Sequence, residues 1–97
     1  MNPSVFILED NKLFAQNLVD MIGQYPLKLN CIVTSDLATA MAQLNDSIHY
    51  TAFFIDIALD ETIQTDYRLQ NIYLKALSTE IHRLFLQQAF LIMYTKH

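Results

Sequence analysis

Four short apolar runs recur along the chain, and the segments between them repeat their apolar residues at the spacing of a helix. The runs cover residues 5–8, 29–33, 52–55 and 90–93. They are apolar almost throughout rather than alternating, which is typical of strands covered on both faces, as in a parallel sheet between helices. Because crossovers between parallel strands are right-handed, the order β-α-β-α-β-α-β predicts a doubly wound α/β layer.

The three intervening segments predict helices that turn one apolar stripe toward the sheet. The stripes are Leu13, Phe14, Leu18, Met21 and Ile22, then Leu37, Ala40, Met41 and Leu44, and finally Tyr73, Leu77, Ile81 and Leu84 within 66–88. Asp10 or Asn11 is placed to cap the first helix, with Gly23 near its end. Ser35 or Asp36 is placed to cap the second helix.

The composition supports one compact domain over residues 1–97. Hydrophobic residues make up 53% of the chain and charged residues 16%, which excludes intrinsic disorder. A chain of this length can bury one core. No apolar run reaches the roughly 18 residues that a membrane span needs, and no secretion signal precedes the first run.

Charge and cysteine content narrow the setting. The net charge of −4, with no basic stripe, argues against unaided binding of nucleic acid. A single cysteine, Cys31, excludes an internal disulfide and favours a reducing cytoplasm. Cys31 lies inside an apolar run and is expected to be a small core residue. The histidines and Cys31 lack the spacing of a zinc site.

Acidic residues follow two of the predicted strands at the point where each strand ends. Glu9 and Asp10 follow the first run, and Asp56 follows the third. In a flavodoxin-like strand order, 2-1-3-4, the first and third strands are neighbours, so these carboxylates converge in the crevice where ligands bind. Mg²⁺, a hard cation with oxygen ligands, would relieve their mutual repulsion. A carboxylate beside Mg²⁺ is a competent nucleophile toward a phosphoryl group.

Each of these acids has an ordinary structural interpretation, because an acid after a strand is often only the N-cap of the next helix. Three of them at the ends of two adjacent strands favour a functional site instead.

The residues around these acids resemble a known family. The segments VFILEDN at 5–11, FFIDI at 53–57 and FLIMYT at 90–95 look like the receiver domain of bacterial response regulators. The sequences of these segments are most similar to the branch with a LytTR-type DNA-binding output domain, whose members regulate peptide-pheromone quorum sensing, bacteriocin production and virulence. The resemblance extends over essentially the whole chain, in order.

The resemblance implies a role for each matching position. Glu9 and Asp10 match the acidic Mg²⁺ pair, Asp56 matches the phosphoacceptor, and the backbone carbonyl of Ala58 would be a further Mg²⁺ ligand. Thr95 matches the hydroxyl residue that contacts the phosphoryl group and relays its presence. Such a domain is not itself an enzyme. Its partner is a sensor histidine kinase, and it reaches DNA only through an output domain outside these residues.

Two departures from the family leave a second function open. The family's lysine at the end of a fifth strand has no counterpart here, since Lys96 follows the fourth run, and the usual glycine after the phosphoacceptor is missing. The chain is therefore expected to be either a phospho-acceptor switch or a degenerate receiver that serves as an interaction and dimerisation module. With no fifth strand, the fourth run becomes an apolar sheet edge, so we expect self-association as a homodimer or by strand exchange.

Overall fold

The computed structural model describes residues 3–44, 47–56, 67–85 and 90–94, with the backbone alone at 67–71, 73, 84 and 85. The strands are β1 (Ser4–Leu8), β2 (Asn30–Thr34), β3 (Tyr50–Asp56) and β4 (Phe90–Tyr94). The helices are α1 (Lys12–Ile22), α2 (Leu37–Gln43) and α3 (Tyr67–Phe85). Each of the predicted strands and helices is present. The ends expected for α3, at 66 and 86–88, lie outside the described residues.

The strands form one parallel sheet in the order β2-β1-β3-β4. Val5 of β1 pairs with Cys31 of β2 on one side and with Ala52 of β3 on the other. Ala52 pairs in turn with Phe90 of β4. The predicted α/β class and the order 2-1-3-4 are confirmed for the described residues.

Helices cover both faces of the sheet, which is why β1 is buried at every position. Successive side chains of a strand point to opposite faces. On one face, Phe6 and Leu8 belong to a cluster that α2 and α3 complete through Ala40, Leu74, Leu77 and Ile81. On the other face, Val5 and Ile7 pack with Ile22 of α1.

The helix caps resolve the two alternatives left by the sequence. Asn11 is the N-cap of α1, where its side chain accepts a hydrogen bond of 2.9 Å from the backbone N–H of Phe14. Asp36 is the N-cap of α2 and accepts one of 2.7 Å from the backbone N–H of Thr39. Gly23 follows α1 as its C-cap, as expected.

Two predicted apolar stripes are partly wrong. Leu13 and Met21 of α1 are 72% and 63% exposed, and Met41 of α2 is also exposed. In α1 the buried line runs through Ala15 and Ile22, and the turn of the helix places Leu13 on roughly the opposite side. The prediction left out the small Ala15, which is buried. Leu77 and Ile81 of α3 are buried as predicted. The side chains of Tyr73 and Leu84 lie outside the described residues.

Within the part of the chain that the structure describes, β4 lies at one edge of the sheet, as predicted. Phe90 is 76% exposed, and Ile92 and Met93 are exposed as well. Among the described residues, no helix combines the length and apolar character that crossing a membrane requires.

Candidate metal centre at the carboxyl ends of the strands

The acids that follow β1 and end β3 meet at the same edge of the sheet. Leu8, the last residue of β1, pairs with Ile55 of β3. The residues that follow them, Glu9 and Asp56, therefore lie side by side. Glu9, Asp10 and Asp56 each offer one carboxylate oxygen, and these oxygens lie within 4.8 Å of one another. The structure thus places together the three carboxylates that the sequence singled out.

Burial makes this cluster unusual among groups of acids. Glu9 and Asp56 are 1% and 0% exposed, and Asp10 is half-buried. Removing carboxylates from water costs free energy, and like charges at this separation add to the cost. A divalent cation would offset both costs, and oxygen donors are the ligands that Mg²⁺ and Ca²⁺ prefer. The donor set therefore fits a hard divalent cation.

The main chain around Glu9 is fixed by β2 and by the start of α1. The backbone N–H of Glu9 donates to the carbonyl oxygen of Thr34 at 2.9 Å. The hydroxyl of the buried Thr34 donates to the carbonyl oxygen of Ile7 at 3.0 Å. The Oε2 atom of Glu9 accepts a hydrogen bond of 3.0 Å from the backbone N–H of Asn11. These contacts hold Glu9 at its backbone and at Oε2.

Tyr94 joins the acidic cluster from β4. It pairs in register with Asp56, and its hydroxyl donates a 2.8 Å hydrogen bond to Glu9 Oε1. Burial raises the pKa of the Tyr94 phenol well above its usual range, and the hydrogen bond to Glu9 and the surrounding carboxylates raise it further. The phenol therefore stays protonated and remains a donor at neutral pH.

The ring of Tyr94 forms part of an apolar groove beside the cluster. It stacks on Phe14 of α1, with ring centroids 5.6 Å apart and an interplanar angle of 25°. The groove has a volume of about 290 Å³ and is lined by Phe14, Leu18, Phe54, Ile92 and Tyr94. One side chain thus borders both the groove and the carboxylates.

Sequence reasoning missed Tyr94 as a site residue and singled out its neighbour Thr95 instead. Thr95 and Ala58 both lie outside the described residues. Tyr94 shares the face of Asp56 because it lies level with Asp56 on the adjacent strand. Since successive side chains of a strand alternate between faces, Tyr94 could have been identified if its strand partner had been known. That identification requires the register between β3 and β4, which the sequence does not specify.

Cys31, expected to be a core residue, packs at the margin of the core instead. It is half-buried on β2 against the cluster formed by Val5, Ile7 and Ile22. Burial raises the pKa of its thiol, which makes it a weaker nucleophile at neutral pH.

Comparison with known proteins adds no further assignment. No model of a known protein family matches the chain, and neither curated proteins nor solved structures return a match. The chemistry of the carboxylate cluster is therefore the basis for a functional proposal.

Proposed function

We propose that the chain is a receiver domain of a response regulator in two-component signal transduction, with Asp56 as the phosphoacceptor. The observation that carries the proposal is the convergence of Glu9, Asp10 and Asp56, whose oxygens lie within 4.8 Å at the ends of two adjacent parallel strands. The strand order β2-β1-β3-β4 is compatible with a flavodoxin-like sheet, in which such strand ends form the ligand crevice.

The proposed reaction transfers a phosphoryl group from a sensor histidine kinase. A carboxylate oxygen of Asp56 attacks the phosphorus of a phosphohistidine, the P–N bond breaks, and the imidazole leaves. Glu9, Asp10 and Asp56 would hold Mg²⁺, which when bound neutralises charge on the incoming phosphoryl oxygens. The carbonyl of Ala58 and the hydroxyl of Thr95, both outside the described residues, complete the proposed site as a metal ligand and a phosphoryl contact.

The proposed consequence of phosphorylation is a change on the β4 side of the sheet. A phosphoryl group adds negative charge and acceptor oxygens, to which a nearby hydroxyl can move. In the proposal this change controls a transcription-regulating output domain of the LytTR type, in the cytoplasm. Contact with DNA belongs to that output domain.

The test is phosphorylation by a small donor. Wild-type protein incubated with Mg²⁺ and acetyl phosphate should gain the mass of one phosphoryl group, and chelating the Mg²⁺ should prevent it. Asp56→Asn should not be labelled, because the amide is not a nucleophile toward phosphorus. Asp36→Asn, which alters an exposed acid at the start of α2, is the matched control and should be labelled like wild type. Equal labelling of wild type and Asp56→Asn contradicts the proposal.

A degenerate receiver that acts as an interaction or dimerisation module is the alternative function. The exposed apolar residues of β4, Phe90 and Ile92 among them, favour it. Beryllofluoride, which mimics a phosphoryl group on a carboxylate, separates the two functions. A chain that associates with itself, yet shows neither labelling nor amide shifts near Asp56 with beryllofluoride and Mg²⁺, is such a module.

A further inference from the structure

Both carboxylate oxygens of Glu9 have defined donors in this structure. Oε2 accepts from the backbone N–H of Asn11 at 3.0 Å, and Oε1 accepts from the hydroxyl of Tyr94 at 2.8 Å. The second donor comes from 85 positions further along the chain. Two donors on opposite oxygens fix the orientation of the carboxylate plane, which a single hydrogen bond leaves free to rotate.

The donor on Oε1 is itself held in place. The Tyr94 ring stacks on Phe14 and lies against the apolar groove, and the Tyr94 backbone pairs with Asp56. The hydroxyl thus reaches the cluster from a ring whose position is set by α1 and β3.

We propose that Tyr94 is a positioning residue of the metal centre, whose hydroxyl holds Glu9 in the orientation that a divalent cation requires. The inference rests on the proposed function, because it presumes that the cluster binds a cation. A carboxylate oxygen has more than one lone-pair site, so Oε1 can accept from Tyr94 and still face a cation. Hydrogen bonds behind a metal ligand commonly affect metal affinity about 10-fold to 100-fold.

The test is a Mg²⁺ titration of wild type, Tyr94→Phe, Glu9→Gln and the double variant, followed by backbone amide shifts. Tyr94→Phe keeps the ring that stacks on Phe14 and removes only the hydroxyl. We expect its affinity for Mg²⁺ to fall about 10-fold. In the Glu9→Gln background, residue 9 is no longer an anionic ligand, so the same change should cost no more than about twofold, the scatter of independent substitutions.

Ile92→Val is the matched control, since Ile92 lies on the same strand and lines the same groove. We expect it to bind Mg²⁺ as wild type does. An unchanged affinity in Tyr94→Phe, or an equal loss in both backgrounds, overturns the positioning role and leaves the metal centre intact. Absence of Mg²⁺ binding in wild type at millimolar concentration overturns the metal centre and the positioning role together.

Discussion

The exposed carboxylate of Asp36 is hydrogen-bonded to the first turn of α2. Its side chain accepts hydrogen bonds from the backbone N–H of Thr39 at 2.7 Å and from the Thr39 hydroxyl at 2.9 Å. These bonds favour the charged form of the carboxylate and so lower the pKa of Asp36. The bond from the Thr39 backbone has the larger effect and the bond from the Thr39 hydroxyl the smaller. Ionisation of this residue is therefore linked to folding.

The linkage predicts how stability responds to acid. Because the pKa of Asp36 is lower in the folded state, its contribution is fully present above the ordinary pKa of an aspartate. The contribution is lost as the pH falls through the lowered, folded-state value. Asp36→Asn retains a capping side chain that does not titrate, so the free energy of unfolding should fall less on acidification. Urea unfolding between pH 7 and about pH 3 measures the difference.

Asp20→Asn serves as the control for this measurement, because Asp20 is an exposed acid in the last turn of α1, where it accepts a hydrogen bond from the Gln16 side chain and caps no helix start. It should follow the pH dependence of wild type. If the free energy of unfolding falls as steeply with acidification in Asp36→Asn as in wild type, ionisation of the Asp36 cap does not cause the pH dependence.

At the residue scale, the sequence narrowed the starts of α1 and α2 to two candidate cap residues each and could go no further. Asp10 and Asn11 offer the same kind of side-chain acceptor, as do Ser35 and Asp36. The cap is the residue whose extended backbone precedes the first turn, as at Asn11, where φ is −85° and ψ is 114°. Which of two neighbours adopts that conformation depends on how the strand before it enters the helix.

At the scale of elements, strand character could be predicted more fully than the inward face of α1. The run of β1 has no polar residue to interrupt it, and both of its faces are buried. In α1, the apolar residues spread around much of the helix, so several stripes were compatible with the sequence. Packing against Val5 and Ile7 selects the stripe that contains Ile22.

The two edges of the sheet differ in how they meet solvent. Neither edge strand has a charged residue. The exposed residues of β2 include the polar Asn30, whereas the exposed residues of β4 are all apolar, namely Phe90, Ile92 and Met93. Charged side chains are a common protection of natural edge strands. Two β4 strands paired antiparallel about a two-fold axis at Ile92 would place Phe90 opposite Tyr94 of the other copy, an aromatic cross-strand pair. A second copy of the chain is therefore the partner that suits this edge.

We predict that the chain associates with itself through β4. Ile92→Lys should shift it toward monomer, because the lysine places a charge on the paired edge. Val33→Lys on β2 is the matched control, since Val33 is similarly exposed, at 45% against 42% for Ile92. Sedimentation velocity over a range of protein concentrations measures the oligomer. A clean monomer of wild type at high micromolar concentration, or equal association of Ile92→Lys, contradicts the prediction.

At the scale of the whole molecule, the acidic cluster opposes folding when no cation is present. Three carboxylate oxygens within 4.8 Å repel one another in a buried setting. We predict that Asp56→Asn raises the free energy of unfolding in the presence of a chelator. The expected gain is on the order of 1 to 4 kcal/mol, the range for two unit charges at this separation between bulk water and an effective dielectric constant of about 20.

Added Mg²⁺ should make wild type more stable than Asp56→Asn. A cation that binds only the folded state stabilises wild type in proportion to the logarithm of its concentration, and Asp56→Asn should lose most of that response. Urea unfolding with a chelator and with millimolar Mg²⁺ measures both effects, and Asp20→Asn should behave as wild type. Lower stability of Asp56→Asn in the chelator would indicate that the Asp56 carboxylate stabilises the fold by itself.

The site as a whole could be predicted only in part. Convergence of Glu9, Asp10 and Asp56 follows from strand order, which short-range patterns and right-handed crossovers determine well. The contribution of Tyr94 depends on register between β3 and β4, which long-range packing determines. Carboxylates at strand ends can be predicted from a sequence, whereas a hydroxyl group on another strand that donates a hydrogen bond to them cannot.

The hydrogen bond between Tyr94 and Glu9 joins residues 85 positions apart, so it forms only once β4 has joined the sheet. The bond needs β1 paired with β3 and β4 paired with β3, each across a long stretch of chain. Closing such loops is slow compared with forming local helices. A chain still being synthesised, or one cut between β3 and β4, would lack the complete site. Without the Tyr94 hydroxyl the three carboxylates should hold a cation about 10-fold more weakly, so cation affinity would report that β4 has docked.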